Sequence, residues 1–305
     1  MKQLIITALV SLIQLIGFAQ NHIDLANVYM RYSPGNAIEG SKQQRNFSMY
    51  VADAKLPLVI NDNNVALIGM EYQQNQITYT GSETNHVDYR FSSSTLQVGL
   101  EHKWNNRSKL LFMGFGRLNG YYREIESNAF QLGGLAFGTT KRSENFEWKY
   151  GLYYNGEFFG PMFVPLFGFN WKINERWRLK TVLPINLELS YQPNANLRAG
   201  LRFDGVNGSY RMKPLPKSLF MTDYHVDKAD NNVWLFGEAH LGKNIWFHLK
   251  AGHSVLRKYR FYENNEKLAL KLGPVNIGDD RPETVSLFEN GWSFEARFIY
   301  RLPLD

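Results

Sequence analysis

Residues 293–302 read SFEARFIYRL, and every second side chain of this run is apolar. Successive side chains of a β-strand point to opposite faces, so a strand of this sequence has one apolar face and one mainly polar face. Glu295, Arg297 and Arg301 share the polar face. The even-numbered residues form the apolar face, namely Phe294, Ala296, Phe298, Tyr300 and Leu302. About ten residues is also the length with which a tilted strand crosses the hydrocarbon of a bilayer.

The same alternation recurs along nearly the whole chain from about residue 24 onward. Clear instances are residues 96–101, 146–152, 185–191, 197–204 and 245–252. A period of two residues predicts strands, whereas a helix would show a period of about 3.6. No interior helix, fixed repeat or linker divides the chain. The sequence therefore predicts one all-β domain.

The first nineteen residues have the pattern of a secretory signal peptide. Its parts are a positive Lys2, an apolar run at residues 4–15 and a small-x-small cleavage site at Gly17-Phe18-Ala19. We therefore expect residues 1–19 to be removed after export, which leaves a domain of residues 20–305. An uncleaved membrane helix is the alternative. It is disfavoured because Ser11 and Gln14 interrupt an apolar run already shorter than the roughly 20 residues of a span.

The composition excludes several classes of protein. The chain has no cysteine, which excludes a disulfide framework, a thiolate nucleophile, a cysteine-bound metal and a lipoprotein anchor. A formal net charge of +6 over 305 residues is too mild to indicate a nucleic-acid-binding protein. The aromatic content of 15 % suits a membrane interface, although the same rings also stabilise soluble sheets.

The connections between the predicted strands alternate in length. Short, turn-type connections lie at residues 61–64, 105–107, 143–145, 174–175, 193–195 and 242–244. The mostly longer polar segments between them are residues 33–45, 80–90, 119–127, 213–231 and 263–290. Outer-membrane barrels have short periplasmic turns and longer external loops, so this asymmetry favours a membrane barrel with both chain ends in the periplasm.

We predict a transmembrane antiparallel up-and-down β-barrel of about 12–14 strands. Residues 158–184 leave the count open, because Pro161, Pro165 and Pro184 remove backbone donors from a ladder. A secreted soluble β-sandwich or barrel would show the same alternation. So many strands in a soluble barrel would need a very large apolar filling, whereas a membrane barrel has a polar interior that can hold water.

Together these features resemble a Gram-negative outer-membrane β-barrel protein, similar to small uncharacterised outer-membrane barrel families. They are the signal ending Phe18-Ala19-Gln20, the amphipathic strands, the Asn-rich turns and the run Phe298-Ile299-Tyr300-Arg301-Leu302. The resemblance covers residues 21–302. It implies insertion into the cell outer membrane by the barrel assembly machinery, with membrane lipid and lipopolysaccharide as partners. Members of this class often end in an aromatic residue, whereas this chain ends Leu302-Pro303-Leu304-Asp305.

The polar faces of the strands predict a lumen that carries charges of both signs. The predicted lumen residues are Glu71, Glu101, Lys103, Glu147, Lys149, Glu188, Arg198, Arg202, Asp204, Glu238, His248, Lys250, Glu295, Arg297 and Arg301. Such a set suits either a network that fills a narrow barrel or a constriction that filters solutes by charge.

One predicted hairpin places two of these lumen residues opposite each other. A turn at residues 242–244 is expected to pair Leu241 with Ile245. That register places Glu238 opposite His248 on the inward face. The pair is interpreted either as a structural ion pair or as a pH-sensitive contact for solutes, because histidine titrates near neutrality.

A basic cluster is expected at the external rim. Its members are Arg211, Lys213, Lys217, Arg257, Lys258 and Arg260. Lipopolysaccharide phosphates would be its acidic partner, and scattered solvated charge is the alternative. Residues 263–290 are interpreted as an external loop that either plugs the barrel or binds a ligand.

The sequence offers no set of catalytic residues. Its seven histidines show no HExxH motif or clustered His/Asp spacing, and no GxSxG motif is present. We therefore expect no catalytic site, metal or cofactor. The sequence predicts a narrow passive channel or binding barrel for small solutes. A structural or surface-interaction barrel with a blocked lumen is the alternative, and an outer-membrane hydrolase is third.

Overall fold

The computed structural model describes residues 22–38, 40, 43–81, 88–121, 127–214, 222–282 and 288–303. These residues form sixteen β-strands and one short 3-10 turn at Ser127–Ala129. None of the described residues belongs to a helix long and apolar enough to cross a membrane. The predicted signal peptide, residues 1–19, lies outside the described residues.

The strands have the following bounds. They are β1 (His22–Ala37), β2 (Gln44–Asn61), β3 (Asn64–Tyr79), β4 (Tyr89–Lys103), β5 (Ser108–Tyr121), β6 (Phe130–Ser143), β7 (Phe146–Glu157), β8 (Gly160–Lys172), β9 (Trp177–Leu183), β10 (Asn186–Asn194), β11 (Leu197–Met212), β12 (Tyr224–Gly242), β13 (Ile245–Glu263), β14 (Leu270–Leu272), β15 (Val275–Ile277) and β16 (Trp292–Pro303).

Fourteen of these strands close into a barrel. Each strand from β1 to β13 pairs antiparallel with the next, β13 pairs with β16, and β16 pairs with β1. Strands β14 and β15 form a hairpin within the connection between β13 and β16. The predicted antiparallel up-and-down barrel is confirmed, with the larger of the two strand numbers considered.

The apolar faces of the strands point outward and the charged faces point inward. On β16, Phe294, Phe298 and Tyr300 are 47 %, 54 % and 45 % exposed, whereas Glu295 and Arg301 are 2 % and 5 % exposed. Large exposed apolar side chains occur on the other wall strands as well. A surface of this kind is unfavourable in water and suits contact with lipid chains. The predicted orientation of the faces is confirmed.

The two ends of the barrel differ. Six tight turns and both ends of the described chain lie at one end, which we call the turn end, and the remaining connections lie at the loop end. Asparagine side chains close several tight turns by accepting bonds from backbone N–H groups two or three residues later, at 2.8–3.0 Å. Asparagine favours turns for this reason. The residues concerned are Asn61, Asn105, Asn174 and Asn194.

The barrel wall is low in one sector. Strands β9 and β10 have 7 and 9 residues, whereas β11 and β12 have 16 and 19. Strand β9 therefore pairs with β8 only between Phe167 and Lys172. Closer to the loop end, β14 lies at the edge of β8 that β9 does not reach, where it pairs in parallel with Met162 and Phe163.

This low sector explains how β8 contains prolines. Phe163 lies between Pro161 and Pro165, and its carbonyl accepts a hydrogen bond from the Gly273 N–H at 2.8 Å on the β14 side. Backbone groups alternate between the two edges of a strand, so the N–H that each proline lacks would point to the edge that β9 does not reach. The prolines therefore cost no bond to β9.

The loop end is narrowed because the upper half of β11 crosses the barrel. Arg211 pairs with Gly120 of β5, a strand of the opposite wall. Asn119 also donates a hydrogen bond to the Ser209 carbonyl at 3.2 Å. The short β9 and β10 give this half of β11 no neighbour on one side, so it is able to lean inward.

The prediction of a loop over residues 213–231 is wrong for residues 224–231, because β12 begins at Tyr224. Tyr224 and Val226 are fully buried inside the barrel. The inward face of this part of β12 is therefore apolar at Tyr224 and Val226 and charged at the buried Lys228 and Asp230. An outward-apolar pattern, which served to recognise the other strands, is absent here.

The orientation of β16 generates a prediction about stability. Replacing Phe298 with arginine is expected to lower the free energy of unfolding in lipid vesicles by about 2–4 kcal/mol, because a charge would then face the hydrocarbon. The matched control is Asp62→Arg, which puts the same side chain in the exposed turn between β2 and β3. Denaturant titration in vesicles measures both. Equal stability of the two variants would contradict the lipid-facing orientation.

Candidate functional site

Ten of the fifteen predicted lumen residues join one network of ion pairs inside the barrel. The network follows the wall from β10 through β13 and β16 to β1. Its predicted members are Glu188, Arg198, Arg202, Asp204, Glu238, His248, Lys250, Glu295, Arg297 and Arg301. The pairing of the strands brings together residues that are far apart in sequence. We call this set of ion pairs the lumen network.

Glu238 is one centre of the lumen network. Its Oε1 accepts a hydrogen bond from Arg301 Nη1 at 2.6 Å, and its Oε2 accepts one from Arg198 Nη2 at 3.0 Å. His248 Nδ1 lies 3.3 Å from the same Oε2. The predicted cross-strand pair of Glu238 and His248 is present, although Ile245 pairs with Gly242 rather than Leu241. A bulge between His240 and Gly242 absorbs that difference.

Glu295 is the second centre. Its Oε2 accepts a hydrogen bond from Arg31 at 2.8 Å, while its Oε1 lies 3.0 Å from Lys250 Nζ and accepts a hydrogen bond from Arg297 at 2.8 Å. Arg31 and Lys250 also lie over the ring of the fully buried Trp234. Each of these buried charges therefore has a partner of opposite sign, and Arg31 and Lys250 also have an aromatic face, as buried charges require.

The sequence reasoning missed several members of the lumen network. Arg31 lies on the polar face of an alternating run in β1, so its signal was present in the sequence. Asp24 accepts two hydrogen bonds from Arg301, and Asp230 lies 3.9 Å from Arg31 and accepts a hydrogen bond from Arg257 at 3.1 Å. Asp230 was missed because its segment was taken for a loop.

The residues predicted at the external rim differ in their surroundings. Arg211 lies 3.8 Å from Asp223, Lys258 is exposed, and Lys213 and Arg260 are half-buried. Lys217 lies outside the described residues.

Arg257 lies inside the barrel, and its assignment to the external rim is wrong. It is 3 % exposed and donates hydrogen bonds to Asn36 Oδ1 at 3.0 Å and to Ser293 Oγ at 2.7 Å. The cause is a bulge in β13, where Val255 and Leu256 both face outward. One extra residue in a strand exchanges the two faces beyond it.

The five remaining predicted lumen residues lie on the other side of the barrel. They are Glu71, Glu101, Lys103, Glu147 and Lys149, on β3, β4 and β7. Glu101 pairs with Lys109 of β5 at 2.9 Å. None of the five forms an ion pair with the lumen network in the part of the chain that the structure describes.

Apolar side chains also line part of the interior. Buried Met162, Val164 and Leu166 of β8 pack with Phe159 and with Leu268 of the long loop. Half-buried residues of neighbouring strands extend this patch, namely Leu135, Phe137, Tyr153 and Val182. The interior therefore has a charged wall and a partly apolar wall, so the prediction of a polar lumen is incomplete.

Apolar side chains fill the loop end of the barrel, and we call this cluster the apolar plug. Its buried members are Phe47, Met49, Val51, Ile77, Phe91, Tyr210, Met212, Tyr224, Val226, Tyr259, Phe261 and Phe288. Ring centroids of Phe47 and Tyr259 lie 5.6 Å apart, although their strands are on different parts of the wall. Side chains therefore meet across the lumen at this level.

The long connection between β13 and β16 takes part in this filling. Phe288 packs edge-on against Tyr259, with ring centroids 5.0 Å apart. Arg281 anchors the same connection, because it donates hydrogen bonds to Asp227 and Asp279 at 2.7 Å and lies 4.0 Å from the Tyr262 ring. The hydrogen bond from Arg281 to Asp279 also holds the pKa of Asp279 below its usual range. Of the two roles considered for residues 263–290, the described part helps to plug the barrel.

The described residues border two cavities in the barrel interior. The turn-end cavity has a volume of about 400 Å³ and is bordered by Arg178, Arg198, Glu238 and Arg301 among others. The central cavity has a volume of about 310 Å³ and is bordered by Glu71, Arg117 and Tyr153. It extends to the low sector of the wall, between the connection of β9 to β10, strand β11 and the tip of the β14–β15 hairpin.

The described residues contain no group of three or more His, Asp or Glu side chains arranged to hold a metal ion. His248 Nε2 has no hydrogen-bond partner within the described residues. His240 contacts Asn196 Oδ1 and the Lys243 carbonyl at 3.3 Å and 3.2 Å. Neither histidine is thus joined to a serine as a nucleophilic pair requires.

The position of Glu238 generates a second prediction. Glu238→Gln is expected to lower the free energy of unfolding by about 3–5 kcal/mol, because it leaves buried cations without their carboxylate. Glu175→Gln is the matched control, since Glu175 forms an exposed pair with Lys172 whose loss should cost less than about 1 kcal/mol. Denaturant unfolding of the purified barrel tests the difference. Equal losses would show that the lumen network does not stabilise the barrel through Glu238.

Structural comparison finds similar barrels from Gram-negative outer membranes. The COG4313 outer membrane channel from Pseudomonas putida F1 has 8 % sequence identity and a TM-score of 0.52, with 94 % of this chain and 98 % of that chain covered. At this identity the similarity shows a shared fold.

Two further solved structures are more distant. The translocator domain of autotransporter NalP from Neisseria meningitidis has 11 % identity, a TM-score of 0.39 and coverage of 92 % of this chain and 89 % of that chain. A FadL homologue from Pseudomonas aeruginosa has 10 % identity, a TM-score of 0.41 and coverage of 90 % of each chain. No curated protein matches the sequence. A sequence family matches residues 16–300, and the chain therefore belongs to the family described as Domain of unknown function (DUF6268).

Proposed function

We propose that this outer-membrane barrel is a narrow passive channel or binding barrel for small solutes, with the charged lumen as its filter. The observation that carries the proposal is the pair of interior cavities, of about 400 Å³ and 310 Å³, both bordered by charged side chains. Volumes of about 300–1,000 Å³ are those of small-molecule sites in proteins.

The apolar plug obstructs a solute at the loop end of the barrel. A straight path along the barrel axis meets fully buried side chains such as Phe91 and Tyr224 at the loop end. The central cavity supports a route through the low sector instead, because it reaches Ile185 and Val206 of the wall. A solute would then enter beside β11 and leave at the turn end, which faces the periplasm in barrels of this class.

The filter would act through charges held in fixed positions. Arg198 bonds Glu188 and Glu238, and Arg202 bonds Glu188 and Asp204, at 2.6–3.1 Å. Charges in an interior of low dielectric constant interact more strongly than in water, so a fixed set discriminates between solutes of different sign.

Removing two of these cations tests the filter. Arg198→Ala together with Arg202→Ala should move the reversal potential in planar bilayers toward cation selectivity, because Glu188 then loses both arginine partners and Asp204 loses one of its two cations. Arg107→Ala with Arg142→Ala is the control, since both arginines are exposed at the turn end. Unchanged conductance and selectivity in the lumen variant would count against a charge filter.

A blocked structural or surface-interaction barrel is the second candidate, and the apolar plug favours it. If the plug limits the pore, Phe47→Ala with Tyr259→Ala should raise single-channel conductance, since both are fully buried inside the barrel. Phe112→Ala with Tyr150→Ala removes the same ring types from the outer surface and should leave conductance unchanged. Liposome swelling supplies the decisive contrast, because no solute flux in the unmodified protein would favour the blocked barrel.

A further inference from the structure

We propose that the turn-end cavity leads to a binding site for a small multivalent oxyanion, formed by Arg178 and Lys180 of β9 with Arg198 of β11 beside them. Phosphate and polycarboxylates are the chemical class that these side chains fit. The inference deepens the proposed function, because such a site would select the solute. Binding itself does not require an open pore.

The topology brings these cations to one place. Arg178 and Lys180 are two residues apart on β9, so their side chains share the inward face. Their partners in the register of β10 are Ser190 and Glu188. Arg178 and Arg198 border the turn-end cavity, and Glu188, the register partner of Lys180, accepts a hydrogen bond from Arg198 at 3.1 Å.

The cations of this cluster lack sufficient negative charge. Glu188 is the carboxylate beside Lys180, but its two oxygens already bond Arg198 and Arg202 at 3.1 Å and 3.0 Å. In the described part of the chain no ion pair or side-chain hydrogen bond is formed by Arg178 or Lys180. The situation differs from the lumen network, where Lys250 lies 3.0 Å and 3.4 Å from two carboxylates.

Like charges held together in a partly buried site repel one another, and an anion relieves that repulsion. Arginine presents paired donors that match phosphate and carboxylate oxygens, and lysine adds compact positive charge. The turn-end cavity supplies the space, since about 400 Å³ accommodates such an anion with its bridging waters. Arg176 and Lys243 at its border add further positive charge, while Lys172 and Glu175, also at the border, pair with each other at 2.7 Å.

Equilibrium dialysis with labelled inorganic phosphate tests the site on the full mature chain purified in detergent. The unmodified protein is expected to bind phosphate saturably. Arg178→Gln with Lys180→Gln should raise Kd at least about tenfold, since charge-assisted contacts of this kind are individually worth that much. Arg178→Lys with Lys180→Arg keeps both charges and should retain most of the affinity.

Arg107→Gln with Lys258→Gln is the matched control, because it removes one arginine and one lysine that are exposed outside the lumen. Folding of each variant is checked by its heat-dependent mobility in gel electrophoresis. Absence of saturable binding by the folded unmodified protein overturns the inference, and so does equal affinity of the double glutamine variant. Saturable binding without conductance in bilayers would instead contradict the channel and leave the anion site intact.

Discussion

A strand in lipid has no water to satisfy its backbone, so every exposed edge must be paired, and the whole structure depends on this constraint. The pairing of β16 with β1 closes the fourteen-strand ring. The low sector at β9 and β10 leaves part of the β8 edge open, and β14 covers it with backbone hydrogen bonds. The inward lean of β11 solves the same difficulty by pairing with β5.

Closure also decides where the charges go. With apolar side chains facing lipid, the alternating polar residues must enter a confined interior, where each charge needs a partner. The lumen network meets this need with alternating carboxylates and cations around Glu238 and Glu295. In the apolar plug the side chains still alternate between the two faces of each strand, but there the inward face is apolar. Among the described residues Lys180 forms no ion pair, which is the basis of the proposed anion site.

The sequence predicted the barrel and much of the lumen network because both follow from a two-residue period. The cross-strand pair of Glu238 and His248 was found from the turn alone, since a hairpin fixes its own register. Arg257 was misplaced because nothing in a single sequence shows that β13 contains a bulge. Phe288 was missed as part of the plug because its contacts with Phe47 and Tyr259 depend on the tertiary path of a long connection.

The β14–β15 hairpin has an evolutionary consequence. The hairpin is an addition to the barrel wall, because β14 pairs with only two residues of β8 and belongs to a connection that is distant in sequence. Insertions, deletions or exchanges within residues 264–282 would reshape the seam beside β11 while the anchoring ring kept its bonds. Sequence changes in such a barrel would therefore concentrate in this hairpin. Relatives with the same fourteen-strand ring would differ in the residues that border the low sector of the wall.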